Sequence, residues 1–296
     1  MKRRTFIKLG TTISLASLAP YSCLSMPTKA GRMGLQLYTV RDAMERDVFG
    51  TLKALKAMGY SNFETYGYNT VHQTYYGLSP EEFKAMLKAL DLSTNSGHYG
   101  FADHLWSTKD ELLAYTDSCI EGASRLGDEF IVWPIVREED RNPDGFKRLV
   151  EQLSIAGERT AAAGMGFAYH NFGYEFVQYE QFMPYKYIIE QTDPAHVQLE
   201  VDFYWVARAG IFTPKEVIEL APGRFPLWHI KDMDKVTQDY TELGNGSIDY
   251  INLMPDPVRA GLKHHYIEQG GNFAKDSMSS VAESAAFFQK HLGQLL

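Results

Sequence analysis

The chain has 296 residues, 45% of them hydrophobic, and a formal charge of −8 from 29 basic and 37 acidic residues. That is ample apolar material for a core, which excludes a disordered chain, and two cysteines, Cys23 and Cys119, exclude a disulfide framework or a cysteine-rich zinc site. So acidic a chain repels phosphate backbones, so nucleic acid is not an expected partner, and an endonuclease-like phosphodiesterase fails on charge.

Residues 1–30 read as an address rather than a fold element. Lys2, Arg3, Arg4 and Lys8 precede an apolar, small-residue run from about Leu9 to Leu18, a secretory signal pattern too short and polar for a membrane span. Arg3-Arg4-Thr5-Phe6-Ile7-Lys8 resembles the twin-arginine export motif; an ordinary secretory signal is the alternative. Cys23 offers a further one, a lipid anchor at that cysteine. Each implies export, to the periplasm of a bacterium.

From residue 31 onward, short apolar runs alternate with amphipathic stretches. The runs are Met33–Tyr38, Asn62–Tyr66, Leu92–His98, Glu129–Trp133, Gly166–Asn171, Val197–Asp202, Pro226–Lys231 and Lys263–Gln269, each short enough for a buried strand. Helices are predicted over Arg46–Met58, Ser79–Leu90, Thr108–Leu126, Pro143–Ala163, Glu180–Thr192, Thr213–Ala221 and Ser279–Leu292. Ser79-Pro80-Glu81-Glu82 and Thr213-Pro214-Lys215-Glu216 carry N-cap and proline start signals. Eight strands alternating with helices predict one α/β domain over residues 31–296, a (β/α)8 TIM barrel. An open doubly wound sheet is the alternative, and the first strand lacks the Gly-x-Gly-x-x-Gly it would need.

Active sites of such barrels form at the C-terminal strand ends. Those ends supply Gln36 with Tyr38, Glu64, His98, Trp133, His170 with Asn171, Asp202, His229 with Lys231, and Glu268 with Gln269. Buried ionisable groups are costly unless paired or metal-bound, so this recurrence points to a site. Asp202, His229 and Glu268, converging from successive strands, suit one divalent ion; Mn, Mg, Co and Zn all accept mixed oxygen and nitrogen ligands.

Gly34-Leu-Gln-Leu-Tyr38-Thr-Val-Arg41-Asp42, Tyr169-His170-Asn171-Phe172-Gly173-Tyr174-Glu175-Phe176, Asp202-x-x-Trp205, His229-x-Lys231-Asp232, Gly244-x-Gly246-x-Ile248-Asp249 and Glu268-Gln269 occur in that order. Together they resemble the sugar phosphate isomerase/epimerase family of xylose isomerase-like barrels, from residue 31 to about 290. The resemblance implies metal ligands from strands five to eight, typically Glu, Asp, His and Glu. By position these are His170, Asp202, His229 and Glu268, with histidine in place of the first glutamate; the alternative for His170 is a hydrogen bond to a ligand or a sugar hydroxyl. Two opposed glutamates serve the family's epimerases, and only Glu268 stands in such a place here. Phe172 replaces the usual second histidine, which implies a drier pocket there or a different substrate.

The implied chemistry is proton abstraction next to a sugar carbonyl through a metal-stabilised enediolate. Glu268 and Glu64 are the candidate bases, with His98 a further acid–base candidate; Glu64 and His98 could instead be buried polar groups knitting the barrel mouth. Lys231 would neutralise the developing charge, or else form a salt bridge to Asp232 or a neighbour. Gln36, Tyr38, Asn171 and Trp205 are expected to bind substrate, whereas Trp133 reads as core. The expected partner is a small-molecule sugar or glycoside, unphosphorylated because an exported protein meets few sugar phosphates; a homo-oligomer is neither required nor excluded. The leading expectation is a metal-dependent isomerase/epimerase-type enzyme. The alternatives are a 3-keto-glycoside lyase or hydratase acting by β-elimination, and a non-catalytic sugar-binding barrel.

Overall fold

The computed structural model describes residues 32–296; the predicted export signal, with Arg3, Arg4 and Cys23, lies outside the described residues. The barrel strands are β1 (Gly34–Gln36), β2 (Asn62–Tyr66), β3 (Ser93–His98), β4 (Phe130–Trp133), β5 (Gly166–His170), β6 (Gln198–Asp202) and β7 (Leu227–Ile230). Two short strands, β8 (Asp232–Met233) and β9 (Tyr240–Thr241), then form an antiparallel ribbon before β10 (His264–Ile267) completes the set. All eight barrel strands lie within their predicted runs and pair in parallel, closing in the order β1-β10-β7-β6-β5-β4-β3-β2. The fold is therefore a single-domain TIM barrel.

The helices depart from the sequence reading where local capping wins over apolar periodicity. The stretch predicted as Arg46–Met58 forms α2 (Val48–Ala57), and an unpredicted helix α1 (Arg41–Arg46) precedes it; the two are broken at Asp47, whose extended backbone (φ −159°) lets its side chain cap Gly50 N. The next three, α3 (Pro80–Ala89), α4 (Lys109–Leu126) and α5 (Pro143–Ala162), start where their cap residues Ser79, Thr108 and Asn142 indicate. The following helix, α6 (Pro184–Gln191), begins at its proline and not at Glu180, which takes a positive φ of 52°. Short helices α7 (Phe203–Ala209), α8 (Pro214–Glu219), α9 (Tyr250–Leu253) and α10 (Pro257–Ala260) precede α11 (Ser277–Phe287), which runs into a π-turn over Phe288–Leu292.

Inside the barrel, alternation along each strand stacks side chains in layers. Phe130, Val132, Ala168, Leu227 and Tyr266 form a buried apolar plug, separate from the large cluster between barrel and helices. Above it the inward residues turn polar: Gln36, Glu64, Ser96, Glu200 and His229 are fully buried. Higher still, Asp202, His170, His98, Lys231 and Glu268 rim the mouth. A bulge in β3 makes this arrangement possible. Phe63 pairs with Thr94, but Glu64 pairs with Ser96, so Asn95 is an extra residue. The shift turns Ser96 and His98 to the side of Glu64, as bulges beside active sites commonly re-aim side chains.

Candidate active site and metal centre

Two overlapping groups of ligating atoms share His229. One is His170, Asp202, His229 and Glu268; the other is Glu64, His98, Glu200 and His229; in each, the facing atoms lie within 4.8 Å of one another.

The upper group is the metal-ligand set expected from the sequence. The register of β6 and β7 places Asp202 directly beside His229. Asp202 is held by two backbone bonds: its N–H donates to Asn171 Oδ1 (3.1 Å), and its Oδ1 accepts from Trp205 N (3.2 Å) as the cap of α7. Asn171 thereby clips β5 to β6. His170 Nδ1 lies 3.1 Å from the Pro134 carbonyl, which can only accept, so Nδ1 carries the proton and Nε2 turns its lone pair on Asp202 Oδ2 (3.3 Å). Burial pushes the His170 pKa down, which keeps the ring neutral and fit to ligate. His170 Nε2, Asp202 Oδ2 and His229 Nδ1 are all buried and lack a well-formed hydrogen bond. Their near neighbours are one another and Lys231, His229 Nδ1 lying 2.7 Å from Glu268 Oε2; nitrogen and carboxylate atoms so converged and buried fit a divalent cation. Lys231 shares the group, its Nζ 2.6 Å from Asp202 Oδ2 and 2.7 Å from Glu268 Oε2. Burial opposes its charge, but the two carboxylates outweigh that and raise its pKa. Glu268 moves the other way: against the cost of burial, Lys231 and His229 hold it well below the usual carboxylate range.

The lower group is a hydrogen-bonded square. His229 Nε2 approaches Glu64 Oε2 at 2.6 Å and Glu200 Oε1 at 3.3 Å; His98 Nε2 approaches Glu200 Oε2 at 2.8 Å and Glu64 Oε2 at 3.1 Å. Glu64 also accepts from Gln36 Nε2 (2.7 Å) and Ser96 Oγ (2.7 Å). Both glutamates are fully buried. Burial opposes the charge on Glu64, yet the two imidazoles hold its pKa well below normal. The same pairing lifts His98 to about 9 in spite of burial. A carboxylate behind a metal-binding histidine fixes its tautomer and ring orientation; Glu64 stands in that place behind His229. Glu200, which the strand-end reading passes over, stands in the same relation to His98. Its signal is present in the sequence, because strand alternation puts residue 200 on the face of Asp202.

A cavity of about 500 Å³ opens above these groups, lined among others by His98, His170, Lys231, Glu268, Tyr38 and Phe172. Of the sequence candidates, His98, Lys231, Glu268 and Tyr38 thus face one space. Gln36, Glu64 and Asn171 are buried beneath or beside it. Trp205 packs on Phe172, ring centroids 5.0 Å apart, and Trp133 stacks on Phe101 inside the core. Lys231 pairs with Asp202 and Glu268, while Asp232 turns away to accept from Gly244 N and Gly246 N. Glu175 is buried behind the wall, where it accepts from Tyr169 Oη (2.6 Å) and Phe172 N.

The family model for the xylose isomerase-like TIM barrel matches residues 52–256. The chain belongs to that family. No curated protein matches the sequence. Among solved structures, this xylose isomerase-like barrel is similar to a sugar phosphate isomerase/epimerase from Parabacteroides distasonis (24% identity, TM-score 0.77, covering 93% of this chain and 99% of that one). It is also similar to an L-ribulose 3-epimerase (16%, TM-score 0.69, 89% and 95%). A third is a Mycobacterium smegmatis xylose isomerase-like barrel protein in complex with magnesium (16%, TM-score 0.65, 90% and 99%).

Proposed function

We propose that the protein is an exported, divalent-metal-dependent enzyme of the sugar isomerase/epimerase type, which moves a proton at the carbon beside a sugar carbonyl. The observation that carries this reading is the convergence of His170, Asp202, His229 and Glu268 on one point at the floor of a sugar-sized cavity. A divalent cation held by these four residues would polarise the sugar carbonyl and stabilise charge developing on its oxygen.

The chain's own groups divide the remaining work. Glu268, ionised and facing the cavity, is the base that takes the proton from carbon. Lys231, 2.7 Å from it, places an ammonium beside the negative charge that forms. His98 presents its Nε2 to Glu64 and Glu200, which leaves Nδ1 for the cavity; it exchanges a proton with a substrate oxygen. Return of the carbon-bound proton to the neighbouring carbon gives isomerisation, and return to the same carbon gives epimerisation. The cavity lining offers one carboxylate, Glu268, and not a facing pair, so one of the two protonations in an epimerisation falls to another group.

A second reading, β-elimination from a 3-keto-glycoside, is favoured by the state of His98. Held charged by two buried glutamates, it is an acid placed to protonate a departing oxygen. Incubation with a panel of keto sugars and 3-keto-glycosides in deuterated water, with and without chelator, tests both readings. Metal-dependent deuterium incorporation with the carbon skeleton intact supports the isomerase/epimerase reading. Release of an aglycone supports elimination. Binding with neither outcome contradicts catalysis and leaves a sugar-binding barrel.

A further inference from the structure

The four rim groups offer two nitrogens and two oxygens, and the nitrogens are fixed in place. His170 Nδ1 donates to the Pro134 carbonyl (3.1 Å), which aims Nε2 at Asp202. His229 turns Nε2 to Glu64 Oε2 (2.6 Å), which leaves Nδ1 for the rim, 2.7 Å from Glu268 Oε2. An acceptor behind each ring holds its orientation, and a carboxylate in that place makes the imidazole a stronger ligand. All four side chains are buried.

The two oxygens, by contrast, are shared. Lys231 Nζ lies 2.6 Å from Asp202 Oδ2 and 2.7 Å from Glu268 Oε2, the same oxygens that face the histidines. One ammonium therefore offsets one of the two negative charges that the ligand set supplies. Phe172 stands edge-on to His170, ring centroids 5.2 Å apart, and offers no partner to a water on that side.

These features bear differently on different cations. Magnesium and manganese draw on carboxylate, carbonyl and water oxygens, and magnesium keeps several waters in an octahedral shell. Half of this set is imidazole, and half of its charge is offset. Zinc and iron suit imidazole, and zinc is at home among four mixed nitrogen and oxygen ligands. We infer that the rim selects an imidazole-favouring transition metal of the zinc class over magnesium and manganese, and that His170 is the residue that sets the choice. This rests on the metal-dependent reading above and deepens it. A carboxylate at position 170 would give three carboxylates and one imidazole, a set for a harder cation.

The test is metal competition on the chelator-treated full chain, zinc against manganese and magnesium, read with a coloured indicator. Zinc outranks manganese at almost any nitrogen–oxygen site, so the ratio of the two affinities is read against variants. In His170→Glu that ratio should fall about tenfold or more, with manganese binding strengthened and zinc binding weakened. A third buried carboxylate can cost the fold, which a melting curve reports. His170→Gln, uncharged and also an oxygen donor, should lower the ratio in the same direction. Wild-type protein answers by itself as well: cobalt in place of zinc should give the intense visible absorption of a four- or five-coordinate site. A ratio unchanged in a folded variant, or a pale six-coordinate cobalt form, overturns the inference and leaves the metal-dependent reading intact. Wild-type protein that binds none of these ions overturns both.

Discussion

Two glutamates under two imidazoles set the charge state of the site, and they link it to the stability of the fold. His98, lifted to about 9, and His229, raised well above its ordinary value, bind protons more tightly folded than unfolded. Asp128 and Glu175, raised by burial to about 7, behave likewise. Stability from such groups is fully present below their unfolded values, ~4 for carboxylates and ~6.5 for histidine, and is lost as pH rises through the folded values. Glu64, Asp202 and Glu268 are depressed, so their contribution disappears only as pH falls below ~4. Buried His170 and His265 are pushed down, so their contribution is lost as pH falls through ~6.5. Chelator-treated protein should therefore melt highest near about pH 6.5 and fall toward about pH 9.5, and Glu200→Gln should shrink that fall. A melting temperature that is flat or rises over this range contradicts the network. At this scale the sequence yields the four residues that converge at the rim, because each stands at or near the end of a predicted strand. It hides the square below them, because Glu64 meets His229 only through barrel closure, and His98 only through the bulge at Asn95.

Strands prove more legible than helices. Every barrel strand lies within its predicted run, most of them because a strand buried on both faces shows as an apolar run; β3 (STNSGH) has no apolar side chain and is placed by its position in the strand–helix alternation. The helix boundary at Asp47 follows a side-chain cap and that at Pro184 a proline at the first helical position, and the ribbon Asp232–Met233/Tyr240–Thr241 has too few residues to leave a period. The bulge that turns His98 inward has no sequence signature of its own. The turn Gly244–Ile248 illustrates how an element depends on one carboxylate. Asp232→Ala strands the N–H groups of Gly244, Gly246 and Ile248 around a buried position, so it should lower stability by about 2–4 kcal/mol. Urea unfolding measures this directly; a change under about 0.5 kcal/mol would mean that the turn is held by other contacts.

Taken whole, the molecule is a parallel barrel with an apolar plug below, a polar layer above it and, at the mouth, a rim of His170, Asp202, His229 and Glu268 that could hold a cation. Among the described residues no helix is long and apolar enough to cross a membrane; export, as proposed, rests on residues 1–30 alone. The whole account depends on the rim group acting as one cation site. Metal analysis of the purified protein, set beside that of Asp202→Ala, tests this most directly. The account predicts one divalent ion per chain, absent from the variant while its melting profile stays cooperative. Wild-type protein that takes up no divalent ion, or a variant that keeps its ion, would contradict it.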